Sequence, residues 1–164
     1  MIPSCSICNM AKGSLDTYKE PILYPYEEEM GEGTSFVIKM KKECNFVRMI
    51  QGLSDDFGVD FDYNGSLKKA IVSNQIKRLH LKELYNEHKE DVKAIIQSKY
   101  INTNDHINEL LDNFPYLFSD IEDVKNLMYM RNVSPPEWKN GSLSKFIYDI
   151  DQQLENGILE KDEQ

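Results

Sequence analysis

The chain has 164 residues and a net charge of −9, because 28 Asp and Glu residues outnumber 19 Lys and Arg residues. That length fits one domain of ordinary size with a core of its own. The negative charge excludes a basic coat for non-specific nucleic-acid binding over the whole surface, although a local basic face is still allowed. No apolar run reaches about 18 residues, so we expect no membrane span. Three cysteines are a poor disulfide framework, which favours a reducing, cytoplasmic compartment.

Composition divides the chain into three parts. Residues 1–34 hold a cysteine-containing segment followed by a connecting loop rich in Gly, Pro and Glu. Residues 35–157 have the apolar periodicity of a mixed domain in which strands come before helices. Residues 158–164 form an acidic tail that we expect to fray. The fold class expected is therefore α+β and predominantly helical.

Short strands are predicted in the first half of the mixed domain. Residues 35–40 and 44–50 are rich in Val, Ile and Phe, and residues 41–43 between them have the composition of a turn. Residues 57–63 alternate strictly, with Phe57, Val59, Phe61 and Tyr63 on one face, which is typical of a half-buried strand.

From Ser66 onward the apolar spacing becomes that of helices, and four or five of them are expected. A break is predicted at His80–Leu81. Asn104 and Ser142 are predicted N-caps, and Ser119 with Glu122 has the spacing of a capping box.

The segment Cys5–Gly13, which begins Cys5-Ser-Ile-Cys8, is the most specific feature of the sequence. A C-x-x-C spacing lets two thiolates face one zinc ion at about 2.3 Å each, although zinc usually takes four ligands. Two free or buried cysteines are an equally open interpretation. A thioredoxin-like redox pair fits less well, because it needs a βαβ context before the motif.

The longer string Ile2–Gly13, which reads C-S-I-C-N-M-A-K-G over Cys5–Gly13, resembles the last third of the HNH (His-Me finger) endonuclease motif. Residues 21–27, 36–38, 76–81 and 143–150 are similar to later segments of the branch found in Septu-type and retron-linked phage defence. The resemblance implies a partial ββα-metal knuckle with Cys5 and Cys8 as structural zinc ligands. It also implies Asn9 at the catalytic-metal position, Lys12 near phosphate, and DNA as substrate, cleaved with Mg²⁺ or Mn²⁺.

The family's general base is a histidine that should lie some way before Cys5, together with a second C-x-x-C, and neither is present in this sequence. We therefore expect a truncated or start-shifted form that is inactive by itself. His80 and His88 are expected to be packed at the core or its boundary, and His106 is expected on the surface of a helix start.

Two further sources of zinc ligands are open. Cys44, on a predicted strand, is most simply a free buried cysteine but could fold back as a third ligand. Alternatively, a homodimer could share one zinc ion through Cys5 and Cys8 of each chain.

Five cations fall within fifteen residues and could meet a phosphate backbone, although a solvated helix face is the simpler interpretation. They are Lys68, Lys69, Lys77, Arg78 and Lys82. Four aromatic residues of the last third are expected to fill the helical core or an interface rather than stack on bases. They are Tyr116, Phe118, Tyr129 and Trp138.

Two functions follow as expectations. The first is an HNH-family DNA endonuclease, with a role in phage defence. The second is an interaction module without catalytic activity that docks a partner protein such as an ATPase, which the acidic last third suits better than DNA contact.

Overall fold

The computed structural model describes residues 6, 10, 13–14, 16, 18–23, 33–63, 69–133, 143–157 and 160–161. The fold is α+β and predominantly helical, which confirms the predicted class. Its strands are β1 (Thr34–Met40), β2 (Phe57–Tyr63) and β3 (Glu160–Lys161). The helices of the described part are α1 (Phe46–Ile50), α2 (Lys69–Arg78), α3 (Leu81–Asn86), α4 (Lys89–Ile101), α5 (Asn104–Asn113), α6 (Ile121–Met128) and α7 (Ser144–Glu155). Among these helices, none is both long and apolar enough to cross a membrane.

The sheet has the order β2-β1-β3, with β1 in the middle. β1 and β2 are antiparallel and in a register that places Phe36 opposite Phe61 and Ile38 opposite Val59. The alternation predicted for residues 57–63 is confirmed, because Phe57, Val59 and Phe61 are buried on one face. Two residues of the segment predicted to fray, 160 and 161, lie parallel to the end of β1.

The strand predicted at residues 44–50 is wrong, since this segment contains helix α1. Strand alternation would have placed Arg48 on the apolar face, whereas helical spacing buries Met49 and half-buries Phe46 and Ile50. Asn45 starts the helix by accepting a hydrogen bond from the Arg48 N–H at 3.2 Å. A short apolar run does not distinguish the two structures by itself.

In the described part of the chain, six helices follow β2, one or two more than the apolar stripes predict. The predicted break at His80 is confirmed, and a second break at Glu87–His88 divides the next stripe into α3 and α4. The predicted caps are displaced by one residue, because Thr103 caps α5 and Asp120 caps α6. Residues 134–142, which include Ser142 and Trp138, lie outside the described residues.

The main core lies between the sheet and the helices α2, α4 and α7, with Ile38, Val92 and Ile150 fully buried. A second, small core forms between α5 and α6 from Ile107, Phe118 and Val124. We call residues 104–130, which comprise these two helices, their connecting loop and the two residues after α6, the α5–α6 hairpin.

Side-chain amides complete both edges of the β1–β2 pair. The Gln153 side chain accepts from the Ile38 N–H at 2.7 Å and donates to the Ile38 carbonyl at 2.9 Å. Asn86 does the same for Val59, at 3.0 and 2.9 Å. The buried Asp149 carboxylate accepts from the Phe36 N–H at 2.9 Å. Backbone groups that would otherwise be unpaired beside the core are thereby satisfied.

An ion network joins α7 to its neighbours. Asp151 is 2% exposed, and its carboxylate lies 2.8 Å from the Lys125 ammonium group and 3.1 Å from that of Lys99. It also accepts a hydrogen bond from the Tyr129 hydroxyl at 2.6 Å. Burial by itself raises the pKa of Asp151, but hydrogen bonds from Lys125 and Tyr129 and the charges of both lysines outweigh it, so this pKa lies below the ordinary value of 3.8. Glu155 also contacts both lysines, at 2.6 and 2.7 Å, and its pKa is lowered as well.

We expect Gln153→Ala to destabilise the fold by about 2 kcal/mol, because it leaves an N–H and a carbonyl of Ile38 without partners. Denaturant unfolding would measure this. The matched control is Gln152→Ala, whose side chain hydrogen-bonds, among the described residues, only Glu155 at the surface, and which should change stability by less than about 0.5 kcal/mol. Equal effects of the two substitutions would contradict the role of Gln153 at the sheet edge.

Asp151→Asn should cost about 3 kcal/mol at neutral pH, since two lysines with little exposure lose the more buried of the two carboxylates they share. The folded pKa of Asp151 is depressed, so its contribution is present above the unfolded value and is lost as the pH falls through the folded value. The stability difference between wild type and variant should therefore shrink on acidification below about pH 4. Unfolding curves at several pH values test this, with the exposed Asp112→Asn as control. A constant difference down to pH 2 would overturn the prediction.

Candidate nucleic-acid interface

The structure describes three of the predicted site residues and leaves the others outside its described part. Lys69, Lys77 and Arg78 lie on α2 and are exposed. Those outside the described residues are Cys5, Cys8, Asn9, Lys12 and Lys68.

The described end of the loop that follows the cysteine segment is held against α2. The Leu23 N–H donates to the Gln75 side chain at 3.0 Å, and the Asn74 amide donates to the Pro21 carbonyl at 3.3 Å. Leu23 itself is buried in the main core. Residues 20–23 are therefore fixed beside the last turn of α2, where Lys77 and Arg78 lie.

A groove of about 350 Å³ forms along this contact. Its lining combines a carboxylate, an amide, two cations and an imidazole, from Glu20, Asn74, Lys77, Arg78 and His80. We call it the α2 groove. The Lys77 side chain is exposed and forms no hydrogen bond or ion pair with another described residue, so its charge is available to an anion.

His80 enters the groove because the chain turns sharply between α2 and α3. Its backbone is left-handed, with φ 52° and ψ 39°, a conformation that histidine tolerates better than most residues. The turn directs His80 to the surface, so the prediction of a packed histidine is wrong at this position.

The other two histidines follow the predictions. His88 is half-buried, with Nδ1 at 2.9 Å from an Asp91 carboxylate oxygen and its ring beside Phe146. His106 is exposed in the first turn of α5.

Two other cations of the predicted cluster, Lys69 and Lys82, are described and do not line the groove. Lys69 begins α2, about 12 Å along the axis from Lys77 at 1.5 Å per residue, and its ammonium group lies over the Tyr63 ring at 5.2 Å. Lys82 forms an ion pair with Asp60 at 2.9 Å. Sequence spacing placed these cations in one group, whereas among the described ones the helix geometry brings only Lys77 and Arg78 together at the groove.

Cys44 is a free, half-buried cysteine at the edge of the main core. Burial and the charge of Asp56 raise the pKa of its thiol, which disfavours the thiolate that zinc needs. Within the described residues, no three His, Cys, Asp or Glu side chains are grouped so that they could hold a metal ion.

A larger cleft, of about 650 Å³, lies between α4, α5, α6 and α7. Lys99 and Lys125 line it, but both are bound to Asp151 and Glu155. Because its charges neutralise one another, this cleft is less suited to a phosphate than the smaller α2 groove.

Comparison with protein-family models, with curated proteins and with solved structures finds no match to the chain. The resemblance of the Cys5–Gly13 segment to the HNH motif therefore rests on the sequence. Independently of that resemblance, the α2 groove is defined by its own contacts, with Lys77 and Arg78 as its cations.

Proposed function

We propose that these 164 residues are part of an HNH-type DNA endonuclease and that the α2 groove contacts the DNA backbone. The observation that carries the proposal is the position of residues 20–23, which follow the Cys5–Gly13 motif and are hydrogen-bonded to α2 beside Lys77 and Arg78. A chain with a net charge of −9 needs such a local cationic site to approach a polyanion.

The chemistry of the motif supplies the other parts of the proposal. Cys5 and Cys8 contribute half of a structural zinc site, which a second copy of the chain or further residues of the protein complete. Asn9 helps to hold a catalytic Mg²⁺ or Mn²⁺ ion, and Lys12 contacts the phosphate. The free thiols this zinc site needs favour a cytoplasmic compartment, and phage defence is the process that the resemblance favours.

The groove assignment predicts that Lys77→Glu with Arg78→Glu weakens duplex DNA binding. If each cation neutralises one phosphate, the slope of log affinity against log salt should fall by about two units. Fluorescence anisotropy over a salt series measures this slope. The matched control is Lys41→Glu with Lys42→Glu, the same charge change at exposed lysines after β1. If both pairs weaken binding equally, only net charge matters and the groove assignment fails.

We expect the 164-residue chain alone to leave supercoiled DNA intact in Mg²⁺ or Mn²⁺, since no histidine of the HNH pattern precedes Cys5 in it. Nicking by this chain that is lost on Asn9→Ala would contradict that expectation. A second measurement, the intact mass of the protein made at its native locus, tests the endonuclease proposal itself. A mass above 19.1 kDa together with metal-dependent nicking would support the endonuclease, whereas a mass of 19.1 kDa without nicking would contradict it.

A further inference from the structure

The loop that joins α5 to α6 exposes four consecutive apolar residues, 114–117. Tyr116 is 82% exposed and Leu117 is 60% exposed, while Phe114 and Pro115 are also exposed. Single exposed apolar side chains are common on protein surfaces. An uninterrupted exposed apolar run is unfavourable in water and therefore indicates an interaction site. We call residues 114–117 the apolar tip.

Backbone hydrogen bonds and a buried neighbouring side chain hold the apolar tip in a defined conformation. The N–H groups of Leu117 and Phe118 both donate to the Phe114 carbonyl, at 2.9 and 3.1 Å. Phe118 is buried in the small core of the α5–α6 hairpin and so anchors the loop from within. The rings of Phe114 and Tyr116 lie at 74° to each other with centroids 6.2 Å apart. An apolar surface held in place in this way loses little conformational entropy when it is covered.

The hairpin around the tip is strongly acidic. Residues 104–130 contain six Asp and Glu residues and one Lys, and that lysine is bound to α7 through Asp151 and Glu155. Asp112 and Asp120 flank the tip in the sequence, and both are exposed. Nucleic acid, an anionic membrane and the hairpin of a second copy would all be repelled by this charge.

We propose that the apolar tip is a docking surface for a second protein, one that offers an apolar pocket rimmed by Lys and Arg. Tyr116 and Leu117 fill the pocket, and the carboxylates of the hairpin meet the cationic rim. Aromatic residues surrounded by charges of one sign are typical of the centre and rim of a protein interface. This docking surface is separate from the α2 groove and goes beyond DNA contact, so each can fail while the other holds.

A photo-crosslinking side chain at the tip tests the proposal in the full chain inside its native host. Tyr116→p-benzoylphenylalanine should give a discrete adduct with another protein. The same replacement at Tyr18, which is 98% exposed and lies outside the hairpin, is the matched control and should not. The crosslinked peptide of the partner should belong to an apolar surface flanked by Lys and Arg.

Binding of the purified partner then tests the two components separately. Leu117→Ser should weaken binding at least tenfold by removing apolar contact. Glu109→Lys with Asp112→Lys should weaken it about tenfold at low salt and less at high salt. Glu83→Lys with Glu87→Lys makes the same charge change on exposed positions of α3 and should have little effect. Unchanged thermal unfolding of each variant shows that the fold is intact.

Several outcomes would overturn the proposal. These are an adduct no stronger at position 116 than at position 18, an adduct with nucleic acid, lipid or a second copy of the chain, and binding that the hairpin charge reversal leaves unchanged. Loss of DNA binding in the α2 groove variants has no bearing on it.

Discussion

The structure depends on one requirement, that the backbone of β1 finds hydrogen-bond partners on the side facing away from β2. The described sheet provides β3 there only beside residues 39 and 40, so Phe36 and Ile38 would otherwise have buried, unpaired groups. Asp149 and Gln153, one turn apart on α7, supply those partners. An unpaired buried backbone group costs about as much as a lost hydrogen bond, so this contact fixes where α7 lies on the sheet.

Once α7 is placed, its remaining faces position the neighbouring helices. Phe146 and Ile150 enter the main core, while Asp151 and Glu155, four residues apart, lie on another face and bind lysines of α4 and α6. The α5–α6 hairpin has a small core of its own, and its Lys125 binds Asp151 and Glu155 of α7. This arrangement explains how the hairpin can present an apolar tip without exposing the main core.

The two proposed surfaces have opposite local charges. Lys77 and Arg78 make the α2 groove locally cationic in a chain that is acidic as a whole, and the acidic hairpin carries the apolar tip. Interactions between exposed charges fall off within about 10 Å at moderate salt, so opposite local charges can select different partners. In the function we propose, the groove meets DNA and the tip meets protein.

The sequence by itself determined the fold class, the strands at 35–40 and 57–63 and the break at His80, because strict alternation and helical stripes are local patterns that burial then reinforces. Only the tertiary structure decided that residues 46–50 form a helix. A short apolar run is compatible with the period of a strand and with that of a helix, and the position beside β1 is occupied by β2. The tertiary structure also decided that Gln153 and Asn86 complete the sheet edges and that Asn74 and Gln75 hold residues 21–23. These partners are separated by 27 to 115 residues, and no local pattern specifies which distant backbone group a polar side chain will reach.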